Sequence, residues 1–153
     1  MFQRKYMRLL VLFTLVFLLL SFGAVSAVTD GELDGDGHPQ VVLILMEVGG
    51  APAYRCSGTM ISPTVVLTAG HCTSNFPGAP FTGIRIFTES DVENGDNNYP
   101  FAGPNSIEAI DWAAHPLYET APFFYNDVGV VILSEPYYLD EYGELPEVDA
   151  LDA

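Results

Sequence analysis

Apolar residues in this chain fall into short runs and alternations, spaced for strands rather than helices. Residues 41–48 form an almost continuous apolar run of strand length, stopped by Gly49-Gly50. Residues 54–60 and 65–69 follow as two further strands, joined through Ser62-Pro63. Residues 83–88 alternate, with Ile84 and Ile86 on one face and Arg85 and Phe87 on the other. A polar loop runs from Glu89 to Asn98. Residues 107–113 then make a weaker strand and residues 128–133 a strong one, introduced by Asn126-Asp127. No segment carries a convincing amphipathic helix. Six short strands with turn signals between them predict an all-β fold, a small barrel or sandwich.

The ends read differently from this middle. Arg4, Lys5 and Arg8 precede an apolar stretch over residues 9–20, and Ala24-Val-Ser-Ala27 offers small residues for cleavage. That layout predicts a signal peptide over residues 1–27 and a secreted product. A membrane anchor is the alternative, but the stretch is short of the roughly 20 apolar residues a bilayer needs. Residues 28–40 are an irregular acidic lead-in, broken by three glycines and a proline. Residues 135–153 are acidic and aromatic, with Pro136 and Pro146, and read as a surface strap or linker.

Charge sharpens the picture. The whole chain carries a formal −15. Without the leader it keeps only Arg55 and Arg85 against all 20 acidic residues, a net of −18, with no lysine. Such a surface disfavours nucleic acid and anionic lipid, so neither a nucleic-acid partner nor, after leader removal, a membrane is expected. In an exported chain with two cysteines, Cys56 and Cys72 are expected to form a disulfide rather than a metal pair.

Candidate chemistry concentrates around that pair. The segment Cys56-Ser-Gly-Thr-Met-Ile-Ser-Pro-Thr-Val-Val-Leu-Thr-Ala-Gly-His71-Cys72 has the pattern of a hairpin. In it Cys56 lies opposite the end of the second strand, so a bridge to Cys72 would clamp the turn that holds His71. Asp127, just before a strongly apolar strand, is expected to be drawn toward the interior. A carboxylate there needs a partner, and a histidine N–H is a suitable one. Such a pairing fixes the tautomer and stabilises the imidazolium formed when the ring takes a proton.

Other polar clusters are weaker. Asp30, Glu32, Asp34 and Gly35 open like an EF-hand loop, but its closing position is Val41, which fails the motif. Asp91, Glu93 and Asp96 could chelate calcium, although solvated acidic loops are commoner, and no metal site is assigned. His38 and His115, each before a proline, read as loop residues, and three scattered histidines make no zinc set. No cofactor is expected.

In order and spacing, Cys56-Ser-Gly-Thr-Met-Ile-Ser, Leu67-Thr-Ala-Gly-His71-Cys72, His115-Pro116 and Asn126-Asp127-Val-Gly-Val-Val-Ile-Leu resemble the first-barrel motifs of the trypsin/chymotrypsin-like serine proteases. The resemblance runs from about His38 onward. It implies a six-stranded antiparallel Greek-key barrel over residues 41–134, the N-terminal half of a two-barrel protease domain. It also implies His71 as general base, Asp127 as its orienting acid and a protein or peptide substrate. Gly70 stands where the family more often has alanine. The family's nucleophile motif, Gly-Asp-Ser-Gly-Gly, does not occur, and none of Ser57, Ser62, Ser74, Ser90, Ser106 or Ser134 has its context. The segment Tyr142-Gly-Glu-Leu-Pro146 resembles the linker between the barrels. The expectation is therefore a secreted serine endopeptidase represented by its first half and inactive as this fragment. Two alternatives stand beside it: a non-catalytic secreted barrel that binds a partner, and a calcium-stabilised adhesion module.

Overall fold

The structure, a computed structural model, describes residues 32–75, 78, 80–118, 125–148 and 150. The leader predicted over residues 1–27 lies outside them. Six strands form: β1 (Val41–Val48), β2 (Ala51–Ser62), β3 (Val65–Thr68), β4 (Phe81–Phe87), β5 (Ser106–Ala114) and β6 (Gly129–Leu133). They close into a barrel in the order β1-β2-β3-β6-β5-β4, with every pairing antiparallel. The expected six-stranded barrel is thus the observed one, and among the described residues there is no α-helix.

Local chemistry sets the strand ends. Val48 pairs directly with Ala51, leaving Gly49-Gly50 as a two-residue hairpin turn. Both glycines sit at positive φ, +61° and +76°, which a tight hairpin that matches strand twist requires and which only glycine adopts freely. Because the chain leaves that turn already paired, β2 starts at Ala51, three residues before the sequence pattern suggested. Pro52 is accommodated beside a register shift between Met46 and Glu47, one of the few places a sheet tolerates proline. Likewise β4 starts at Phe81, whose N–H is held by the Asn75 side chain at 2.8 Å.

The barrel interior takes alternate side chains of every strand. Ile44, Met60, Val66, Ile86 and Val131 are fully buried there. A second, smaller core lies on the outer face of β1 and β4. Phe87, expected on the opposite face from Ile84 and Ile86, is fully buried with Leu45 and Val92, and the Tyr99 ring meets it edge-on at 5.2 Å. The loop that covers this outer core is held by one carboxylate. Glu89 accepts from the Asp96 N–H at 2.8 Å, from Asn105 Nδ2 at 2.9 Å and from Asn97 Nδ2. The Asn97 hydrogen bond is the main influence holding its carboxyl below the usual range, against opposing burial and the nearby Asp91 charge. Two other acids of this loop also have protein partners: Asp91 accepts from Asn94, and Glu93 pairs with Arg55 at 3.1 Å.

The aromatic segment after β6 straps the barrel end. Tyr137 N–H bonds the Pro63 carbonyl and Gly143 N–H bonds the Met60 carbonyl, each at 2.8 Å. Tyr137, Leu139 and Tyr142 pack against the interior core. No helix among the described residues is long and apolar enough to cross a membrane.

Candidate active site

β3 ends at Thr68, and the chain turns through a single 3₁₀ turn, Gly70–Cys72. Three backbone bonds close it: Cys72 N–H to the Ala69 carbonyl, and Thr73 N–H and Ser74 N–H to the Gly70 carbonyl, at 3.1, 3.0 and 2.9 Å. Cys72 is bonded to Cys56 of β2 across a Cα–Cα distance of 6.2 Å, within the usual range for a bridge. The expected disulfide is therefore present. His71 sits between the turn and the tether. The ligand atoms of Cys56, His71 and Cys72 lie within 4.8 Å of one another, but with both sulfurs committed to each other they offer no thiolate to a metal.

Asp127 reaches this point from the opposite side. Asn126 adopts a left-handed conformation, φ +55°, which asparagine tolerates better than most residues. The Val128 N–H closes back onto the Asn126 carbonyl at 2.8 Å. This tight turn, two residues before β6, aims Asp127 at the 3₁₀ turn. The carboxylate then takes two hydrogen bonds from one residue. Oδ1 accepts the His71 backbone N–H at 2.8 Å, and Oδ2 lies 2.9 Å from His71 Nδ1.

The sequence suggested an interior aspartate. Instead Asp127 lies at the barrel rim, 27% exposed, beside a half-exposed His71. The left-handed Asn126 and the Val128 N–H bond back to its carbonyl place Asp127 in the turn before β6, outside the strand. Burial still pushes its carboxyl upward, but hydrogen bonds from the His71 ring and backbone, together with charge attraction, outweigh that and leave it below the usual carboxylate range. An ionised carboxylate only accepts. In the neutral ring Nδ1 therefore carries the proton, and Nε2 is left as the acceptor. Among the described residues no serine hydroxyl bonds this ring.

The remaining histidines stay out of this site. His115 accepts the Leu117 N–H at its own Nδ1 and gives its N–H to the Val128 carbonyl, a local loop role. His38 pairs with Asp34. Sequence reasoning found His71, Asp127 and both cysteines. It missed the left-handed Asn126, whose signal was the Asn-Asp step before a strand.

A closed six-stranded antiparallel barrel with a paired histidine and aspartate at its rim is the architecture of one half of a chymotrypsin-like serine protease domain. Comparison with known proteins agrees: the family model for trypsin matches residues 34–147, and the chain belongs to the trypsin family. It is 31% identical over 109 residues to the serine protease Hayan of Drosophila melanogaster, covering 71% of this chain and 16% of that protein. It is 28% identical over 119 residues to phenoloxidase-activating factor 3 of Holotrichia diomphalia, covering 72% and 34%. Among solved structures, a crystal structure of HL collagenase shares the fold with a TM-score of 0.60 at 18% identity, over 82% of this chain and 50% of that one. The match thus spans 16% and 34% of the length of these two curated relatives.

Proposed function

We propose that this chain supplies the base half of a secreted serine endopeptidase. His71 is the general base: it takes the proton of a serine hydroxyl attacking a peptide carbonyl and returns it to the leaving amine. Asp127 holds the ring in the Nδ1–H tautomer throughout and stabilises the imidazolium between the two transfers. The nucleophile and the oxyanion donors come from a second barrel that these residues do not include, with residues 135–153 leading toward it. Residues 1–27 direct export. The observation that carries this reading is that the double hydrogen bond from His71 to Asp127 joins residues 56 positions apart, on a turn tied by the Cys56–Cys72 bridge.

The reading is tested on the 153-residue chain and on the same chain joined to a second barrel. Alone, it is expected to hydrolyse no peptide and to take no serine-directed fluorophosphonate. Joined to a trypsin-family second barrel, it is expected to label, with activity falling about 10⁴-fold on Asp127→Asn, the magnitude of that substitution in serine-protease triads. Fluorophosphonate labelling of a serine in the 153-residue chain would overturn the assignment of the nucleophile elsewhere. A joined protein that labels and cleaves equally well with His71→Ala would overturn the base assignment.

A further inference from the structure

Thr73, two residues beyond His71, is the buried polar side chain of the described residues, 4% exposed. Its hydroxyl donates to the Gly70 carbonyl at 3.1 Å. That carbonyl already accepts the Thr73 and Ser74 N–H groups, so the turn is closed without the hydroxyl. What the Thr73 side chain adds is contact with β6. A methyl group built on Gly129 would overlap the Thr73 hydroxyl and would lie 2.8 Å from the Ala69 carbonyl oxygen and 3.1 Å from Thr73 Cγ2. The first residue of β6 therefore touches the turn with no side chain between them. Gly129 is itself fixed in the barrel, paired with Thr68 of β3 and Ala114 of β5.

This contact sits between the two partners of the proton-accepting pair. On one side, Gly70 and Thr73 flank His71. On the other, Gly129 follows Asp127 by two residues. We infer that Thr73 and Gly129 form a close-packed joint that sets the His71–Asp127 distance, which makes both of them positioning residues. The inference rests on the reading of His71 as the base and extends it to residues outside the familiar motifs. The physical argument is one of tolerance. The pair depends on contacts of 2.8 and 2.9 Å, and hydrogen bonds weaken over a few tenths of an ångström. The Ala69 carbonyl is backbone and cannot rotate aside. Buried threonine is stiff at χ1. Added volume at position 129 therefore has to move the turn away from the strand that carries Asp127.

The test uses the ¹⁵N-labelled 153-residue chain. The His71 ring nitrogens report the tautomer, the downfield Nδ1 proton reports the bond to Asp127, and thermal unfolding is followed in parallel. Gly129→Ala is expected to lower the Nδ1–H to Nε2–H ratio about tenfold, the effect of weakening one charge-assisted hydrogen bond, and to lose the downfield proton. Thr73→Ala, which removes the side chain that packs against Gly129, is expected to lower the ratio about twofold. Thr73→Val, which keeps the shape and loses a hydroxyl that the turn does not need to close, should keep the wild-type ratio. Ile107→Val, a core change away from the joint, should lower the unfolding temperature and leave the ratio alone, which separates positioning from stability. A folded Gly129→Ala chain with the wild-type ratio and downfield proton overturns the joint. Should that variant not fold, an unchanged ratio in Thr73→Ala overturns it, and so does loss of the ratio in Thr73→Val, which would assign the effect to the hydroxyl and not to packing. A wild-type chain whose His71 shows no tautomer preference, or one indifferent to Asp127→Asn, means instead that the pair itself has been misread.

Discussion

The molecule contains the same hydrogen-bond pattern twice. Asp34 binds the His38 backbone N–H at 2.9 Å and its Nδ1 at 2.7 Å. Asp127 binds the His71 backbone N–H at 2.8 Å and its Nδ1 at 2.9 Å. By those distances alone the two pairs are alike. Their surroundings differ. Asp34 and His38 are four residues apart in an exposed turn, with the ring 65% exposed. Asp127 and His71 are 56 residues apart and meet only because β3 and β6 are neighbours. The first pair is a local turn that an unfolded chain also samples. The second exists only in the folded barrel and is tethered by the Cys56–Cys72 bridge. A carboxylate–histidine contact is therefore a poor sign of a base by itself. What distinguishes His71 is that its position is fixed from outside, by a sulfur tether on one side and a strand on the other, which is what the base role proposed for it requires.

The comparison breaks most visibly at the disulfide. Replacing both Cys56 and Cys72 by alanine should cost about 3 kcal/mol of stability for a loop of this length. It should also collapse the His71 tautomer preference while leaving the His38 signals unchanged. Urea unfolding with histidine NMR checks both halves. Equal loss at the two histidines would mean that the bridge holds the fold without singling out the turn.

The carboxylates give the next effect. Asp127→Asn should cost about 2 kcal/mol, because it weakens charge-assisted bonds that exist only in the folded state. Asp34→Asn should leave the unfolding midpoint unmoved, since the folded and unfolded chains can make much the same contact. A shift of equal size in the two variants would erase the distinction drawn between the pairs.

Acid gives the smallest and sharpest discrimination. The Asp127 carboxyl is held below its ordinary 3.8 in the folded chain. A depressed folded value means stabilisation that is fully present above the unfolded value and is lost as pH falls through the folded one. Stability should therefore drop as the pH is taken below about 3.8, and Asp127→Asn should flatten part of that drop. The Asp34 carboxyl is also lowered, chiefly by the His38 side-chain hydrogen bond, yet Asp34→Asn should flatten the acid limb less, because its partner is local. Unfolding midpoints at pH 5 and pH 2.5 make the measurement.

Much of the fold was legible because strand chemistry is local. The apolar run of β1, the Ser62-Pro63 turn and the apolar β6 each carry their signal within a few residues. Arg85 and Phe87 show where that legibility stops. Alternation put them on the face opposite Ile84 and Ile86, which is correct, but nothing local says that a loop folded around Glu89 makes Phe87 part of a second core. The early start of β2 was hidden by Pro52, and the rim position of Asp127 by the left-handed turn at Asn126.

By itself, the amino-acid sequence determined the strand chemistry, the pair of cysteines and the identity of the histidine and aspartate worth watching. Side-chain periodicity, turn residues and motif spacing are properties of neighbours along the chain. Tertiary structure alone decided the two hydrogen bonds that join Asp127 to His71, because strand neighbourhood across 56 residues is written in no short segment. It also decided that a glycine and a threonine without any motif lie at the joint between them, since close packing depends on which surfaces the closed barrel brings together.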